Sequence, residues 1–259
     1  MPTIRIDNQE IYYTHHKAGS GQSQRPPLLL VHGAGGHHLH WPPQLRRLPE
    51  TDLYALDLPG HGQSPGPGRT TIAAYAQVID AFAAALALPP VVLAGHSMGG
   101  AIALQVALTA SDKVAGLVLV GTGARLRVNA ALLTSLQTAF DATTAQLIEW
   151  MYTPAFPPKQ REQTLAQLRT NDRQTLHDDF AACDAFDVRS AVASLTLPTL
   201  IICGTADMMT PVKLSETLHG AITGSQLHLI EGAGHMVMIE QPAAVTGMIG
   251  EFVTRLMTR

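Results

Sequence analysis

Short, continuous apolar runs alternate along this chain with stretches in which apolar residues recur every three to four positions. Residues 27–32, 53–57, 91–94, 114–120 and 199–203 are runs of strand length, of the kind that suits strands buried on both faces of a parallel sheet. Residues 3–6 and 11–16 read as two shorter strands around the polar turn Asp7-Asn8-Gln9-Glu10, and 226–230 as a last strand. Between them the spacing predicts helices: 71–88 (through Ile72, Tyr75, Ile79, Phe82 and Leu86), 101–108, 212–218 and 242–256, with a short turn of helix at 45–48. Residues 20–26 read as a loop. Strands alternating with helices predict an α/β fold with a mostly parallel central sheet and helices on both faces.

The texture changes between Arg125 and Arg189. No strand-like run occurs there, and four amphipathic segments follow one another at 130–140, 143–152, 159–170 and 172–184, punctuated by Pro154, Pro157 and Pro158. The expected organisation is a core built from 1–124 and 190–259, with a helical cap inserted at 125–189.

Composition narrows the function classes. Of 259 residues 46% are hydrophobic and only 14% charged, so a sizeable core is available. The formal charge of −3 offers no basic face for nucleic acid. The start of the chain lacks a basic-then-apolar signal pattern, and apolar stretches are broken by Pro, Gly or charge well short of a membrane span. The expectation is a cytoplasmic protein with no membrane or nucleic-acid partner. Cys183 and Cys203 form no metal or redox spacing, and Cys203 reads as core packing.

The chemistry concentrates in Gly95-His96-Ser97-Met98-Gly99-Gly100, which joins the 91–94 run to the 101–108 helix. A serine flanked by glycines on a sharp strand-to-helix turn projects its hydroxyl from the top of a sheet. The helix that starts there aims free N–H groups at any nearby oxyanion. Three glycines in His32-Gly33-Ala34-Gly35-Gly36, just past another central strand, imply close approach of backbone to something. Their spacing is neither G-x-G-x-x-G nor a Walker loop. The tract His37-His38-Leu39-His40-Trp41 has no Asp, Glu or Cys at ligand spacing in sequence. It reads as a loop facing solvent or a cleft, with no metal. Asp57 and His61 read as residues that fix the turn-rich segment 57–64, and His96 as structural, pointing away from Ser97. Asp207 and His235 fall just after the strands at 199–203 and 226–230. The carboxyl ends of strands are where such sheets place function, and the chain order is Ser, Asp, His.

These motifs, with Asp57-Leu58-Pro59-Gly60-His61-Gly62-Gln63-Ser64, Gly204-Thr205-Ala206-Asp207 and Gly232-Ala233-Gly234-His235, resemble the α/β-hydrolase superfamily over nearly the whole chain. Within it, the chain looks most like small capped carboxylesterases and 3-oxoadipate enol-lactonase-like hydrolases. The resemblance implies an α/β-hydrolase fold with no cofactor and a small-molecule ester as substrate. Ser97 would attack the ester, with His235 as general base and acid and Asp207 orienting it. The backbone N–H groups of Ala34 and Met98 would form the oxyanion hole, Met98 from its place in the turn and Ala34 on the resemblance. Gly35, Trp41, Phe140, Met151, Met209 and Met236 are expected at the substrate, with Leu132, Leu136, Leu147 and Trp150 as further cap candidates. The reaction expected first is ester hydrolysis through an acyl-enzyme. Lactone, enol-lactone or carbon–carbon hydrolysis, or a ligand-binding receptor that keeps the triad, are the alternatives. The oligomeric state is left open.

Overall fold

The computed structural model describes residues 2–19 and 25–256. Of the loop expected at 20–26, residues 20–24 lie outside the described residues. The core is an eight-stranded sheet of order β1-β2-β4-β3-β5-β6-β7-β8. Its strands are β1 (Thr3–Ile6), β2 (Gln9–His16), β3 (Leu28–Val31), β4 (Leu53–Leu56), β5 (Val91–His96), β6 (Val114–Val120), β7 (Thr199–Gly204) and β8 (Gln226–Ile230). The β1–β2 hairpin pairs antiparallel and joins β4 antiparallel; the other pairings are parallel. Every residue of β3, β4, β5 and β7 is buried, as their unbroken apolar character requires.

Helices cover both faces. These are α1 (Ile72–Ala85), α2 (Met98–Thr109), α3 (Ala130–Thr138), α4 (Phe140–Met151), α5 (Pro158–Leu168), α6 (Arg173–Ala185), α7 (Val212–Ala221), α8 (Val237–Glu240) and α9 (Pro242–Arg255). Alternation of side chains along each strand splits the apolar residues into two cores. Leu29, Val31 and Leu93 face α1 and α2 on one side, while Leu28, Leu30 and Val92 face α9 on the other. Helices α3–α6 sit between β6 and β7 in sequence and send Leu136, Leu147, Met151 and Leu176 into the second of these cores. The short helix expected at 45–48 is a single 3₁₀ turn, Leu45–Arg47. No helix among the described residues is long and apolar enough to cross a membrane.

Candidate active site

The β5–α2 junction is built by exclusion of side chains. A Cβ at Gly95 would lie 2.1 Å from the Gly99 carbonyl oxygen, and one at Gly99 would lie 2.3 Å from the Val31 carbonyl oxygen. Only glycines let β5 turn this sharply into a helix packed against β3. Between them Ser97 takes φ 53°, ψ −118°, a conformation L-residues avoid and that here turns the side chain off the sheet. Its own peptide is tied down on both sides: the Ser97 N–H donates to Val120 O at 2.9 Å, and Thr122 Oγ1 donates to Ser97 O at 2.8 Å. The Met98 N–H, first in α2, has no acceptor among the described residues, nor has the Ala34 N–H. Both residues flank the cavity into which Ser97 opens or the turn beneath it.

On the neighbouring strand ends, His235 Nδ1 lies 2.9 Å from Asp207 Oδ2. A carboxylate only accepts, so His235 Nδ1 donates. Asp207 Oδ1 takes the N–H groups of Met209 (2.9 Å) and Thr210 (2.8 Å), and Oδ2 also takes the Thr210 hydroxyl at 2.7 Å. Burial works against the Asp207 charge, but the His235 imidazole and these donors outweigh it and hold the carboxyl below its ordinary value. Nothing in the sequence singles out Thr210, whose oxygen also sits 3.2 Å from His235 Nδ1. His96 donates from Nε2 to the His235 carbonyl at 3.0 Å and so braces the histidine loop. Burial, with His235 beside it, pushes its imidazole down to about 3, so it is a neutral strut.

Ser97, Ala34 and His235 line one cavity of about 750 Å³. Leu132, Leu147, Trp150 and Met151 close it from the inserted helices, and Met209 and Met236 from the core. Of the residues expected at the substrate, Met151, Met209 and Met236 are therefore in its wall and Gly35, Trp41 and Phe140 are not. Trp41 is fully buried in the core below. Phe140 packs into the same core under the Arg173 guanidinium. Gly35 is covered by Leu168 and Leu176. Leu136 is likewise sealed in the core. The free thiol of Cys183 also lines the cavity, and burial pushes its titration far up, which leaves it protonated.

The histidine tract departs from expectation. His37 and His38 are buried and His40 lines the cavity, so only Leu39 faces solvent. The fold brings in the acid that the sequence spacing lacks: ligand atoms of His37, His38 and Asp57 come within 4.8 Å. Asp57 and the Nδ1 atoms of both histidines are already engaged, while His37 Nε2 is buried without a hydrogen-bond partner among the described residues. Asp57 Oδ1 accepts from His38 N (2.6 Å) and Nδ1 (2.8 Å), Oδ2 from Gln63 N (2.8 Å), and His37 Nδ1 accepts from Leu39 N (3.2 Å). The arrangement is a braced loop. His32 performs a similar task, accepting from Leu58 N at 2.9 Å and donating to Gly33 O at 2.8 Å.

The model of the alpha/beta hydrolase family matches residues 28–247. The chain belongs to the alpha/beta hydrolase family. A relative of this hydrolase, the pimeloyl-[acyl-carrier protein] methyl ester esterase of Neisseria meningitidis serogroup B, is 29% identical over 241 residues, covering 87% of this chain and 92% of its own. Among solved structures, a thermophilic esterase superposes with a TM-score of 0.85 at 29% identity, covering 98% of this chain and 97% of its own. The enol-lactonase of Burkholderia xenovorans LB400 superposes at 0.88 with 24% identity, covering 98% and 100%, and shares the fold.

Proposed function

We propose that this hydrolase cleaves carboxylic esters through an acyl-enzyme on Ser97. The observation that carries the reading is the His235–Asp207 pair, in which Asp207 holds Nδ1 and leaves Nε2 free of that carboxylate, at the cavity that Ser97 also lines. In the reaction His235 Nε2 takes the Ser97 proton as Oγ attacks the ester carbonyl. The Asp207 carboxylate then faces the imidazolium. The N–H groups of Met98 and Ala34 stabilise the tetrahedral oxyanion. The Gly35 N–H is committed to Asp179 Oδ2 at 3.0 Å, which supports Ala34 as the donor. Return of the proton to the leaving alcohol gives the acyl-enzyme, and water activated by the same imidazole releases the acid. Helices α3–α6 serve as the cap, supplying the apolar wall that holds the acyl chain out of water.

The cavity lining also favours one kind of ester. Among the described residues, Arg125, Arg127, Arg189 and Lys213 belong to it and no carboxylate does, with Asp187 paired to Arg125 and Arg189. An acyl chain with an apolar middle and an anionic far end fits that distribution.

The test is a p-nitrophenyl ester series from acetate to palmitate, extended by the monoester of a dicarboxylic acid, on wild type and Ser97→Ala. Ser97→Ala is expected to lose at least about a thousandfold in kcat/KM with its melting temperature unchanged. Turnover that survives the substitution removes Ser97 as the nucleophile. A monoester turned over no better than the neutral ester of equal length removes the anionic preference.

A further inference from the structure

One carboxylate of the inserted helices is buried without serving the cavity. Asp179 lies on α6 and is fully buried. Each of its oxygens is held by donors from the core. Tyr75 Oη of α1 donates to Oδ1 at 2.6 Å, and Oδ2 receives the Gly35 N–H at 3.0 Å and His61 Nε2 at 2.7 Å. His61 Nδ1 meets the Pro59 carbonyl at 2.9 Å. A carbonyl and a carboxylate both only accept, so both imidazole nitrogens carry protons and His61 is a buried cation beside the Asp179 anion. A buried charge is tolerated when it is paired and hydrogen-bonded in this way.

The Gly35 peptide is gripped twice more. Asn171 Nδ2, in the turn before α6, donates to Gly35 O at 3.0 Å. Leu168 and Leu176 press on its Cα face, where an added Cβ would lie 2.7 Å from a methyl of each. Gly35 has φ +60° and sits inside the turn closed by Gly36 N–H to Gly33 O at 3.0 Å. The Ala34 N–H lies in the preceding Gly33–Ala34 peptide, whose Gly33 O takes the Gly36 N–H, so within this closed turn a rotation of the Ala34–Gly35 plane also turns the Ala34 N–H. Among the described residues, Asp179 of α6 holds the Gly35 N–H of that plane, while Asn171 holds the next peptide through Gly35 O and Leu168 and Leu176 pack on the Cα.

We infer that Asp179 is a positioning residue of the oxyanion hole: by holding the Gly35 N–H from α6, it aims the Ala34 N–H, so that seating of the inserted helices and assembly of the hole are one event. This rests on the ester-hydrolase reading above. The side chain touches neither substrate nor the reacting atoms, and its effect passes through the backbone. The middle of the insertion, at the end of α4, is tied to the His235 loop in a parallel way. Glu240 accepts from Gly234 N at 3.0 Å and from Thr153 Oγ1 at 2.6 Å, and Met236 N donates to Met151 O at 3.0 Å.

The experiment compares an oxo-ester with its thionoester, in which sulfur replaces the carbonyl oxygen. Sulfur accepts hydrogen bonds poorly, so the oxo/thiono ratio of kcat reads the quality of the oxyanion hole and is indifferent to general loss of packing. Asp179→Asn keeps the shape but offers one acceptor oxygen where three donors converge. It is expected to lose about tenfold or more in kcat on the oxo-ester with KM little changed, and to compress the oxo/thiono ratio by a similar factor. Tyr75→Phe, which removes a donor to the same carboxylate but leaves Gly35 held, is expected to lower the melting temperature and keep the wild-type ratio. A folded Asp179→Asn with the wild-type ratio overturns the inference, and so does equal compression in Tyr75→Phe. Should Asp179→Asn fail to fold, Asn171→Ala removes the other polar grip on Gly35 without touching the buried charge. A compressed ratio there supports the inference and a wild-type ratio overturns it. Ser97→Ala run alongside separates the two failures: turnover surviving in it defeats the hydrolase reading itself, whatever Asp179 does.

Discussion

Thr210 supports the Asp207–His235 pair more than its place in a turn suggests. Its N–H and hydroxyl both donate to Asp207, and without them the carboxylate would have His235 and the Met209 N–H as its donors. Hydrogen bonds to a charged group contribute about 1.5–3 kcal/mol each. Thr210→Val keeps the shape and the N–H but removes the hydroxyl. It is expected to lower kcat about tenfold with KM little changed, measured on the best ester of the series. Unaltered kcat would show that His235 alone fixes Asp207. The sequence shows Asp207 by its place after a strand, but Thr210 looks like any turn threonine. Its role depends on a carboxylate three residues away being folded back over it, which no local pattern announces.

At the scale of elements, the β5–α2 junction is the best-specified part of the molecule. Gly95, Ser97 and Gly99 constrain one another within five residues, so the requirement is written where it acts. Gly95→Ala drives a Cβ into the Gly99 carbonyl, which is backbone and cannot swing aside. It is expected to cost about 1–3 kcal/mol or more, read as a fall in the urea midpoint together with loss of activity. A wild-type midpoint would mean that β5 and α2 separate freely. Helix α8 marks the opposite case. Val237–Glu240 is four residues long, too short to show a period, yet its Glu240 ties the histidine loop to the inserted segment. The inserted helices themselves were legible as amphipathic runs. Asp179, in the middle of one, reads there as part of the polar face, because a charged residue in such a run is ordinarily solvated.

Across the whole molecule, histidine burial sets the response to acid. Burial, with neighbouring imidazoles adding to it, pushes His32 and His40 well below the ordinary value of 6.5. His37 is lowered to about 4 and His96 to about 3, in both cases chiefly by burial. Between 6.5 and those values the unfolded chain binds protons that the folded chain does not. Stability is therefore complete above pH 6.5 and is lost as the pH falls toward the folded values, by about 1.4 kcal/mol per pH unit for each imidazole. His61 has the opposite sign: burial opposes its charge, but Asp179 raises it, so its contribution is present below pH 6.5 and is lost as the pH rises through its folded value. Urea unfolding at pH 7, 6 and 5 is expected to show a steep loss below pH 6.5, ahead of carboxylate titration. A flat profile to pH 5 would mean these rings are solvated in the folded state.

The sequence by itself determined the alternation of strands and helices, the run of helices between β6 and β7, the glycine-framed serine turn and the order Ser97, Asp207, His235. Those features follow from spacing and backbone sterics, which act over a few residues. Tertiary structure alone decided which polar groups meet. Asp179 reaches Gly35, His61 and Tyr75 across 144, 118 and 104 residues of chain. Asp57 reaches His38 across 19, and Trp41 and Phe140 turn into the core instead of the cavity. Hydrogen bonds and burial at that separation depend on how finished elements pack, and a side chain carries no mark of the partner that packing will bring to it.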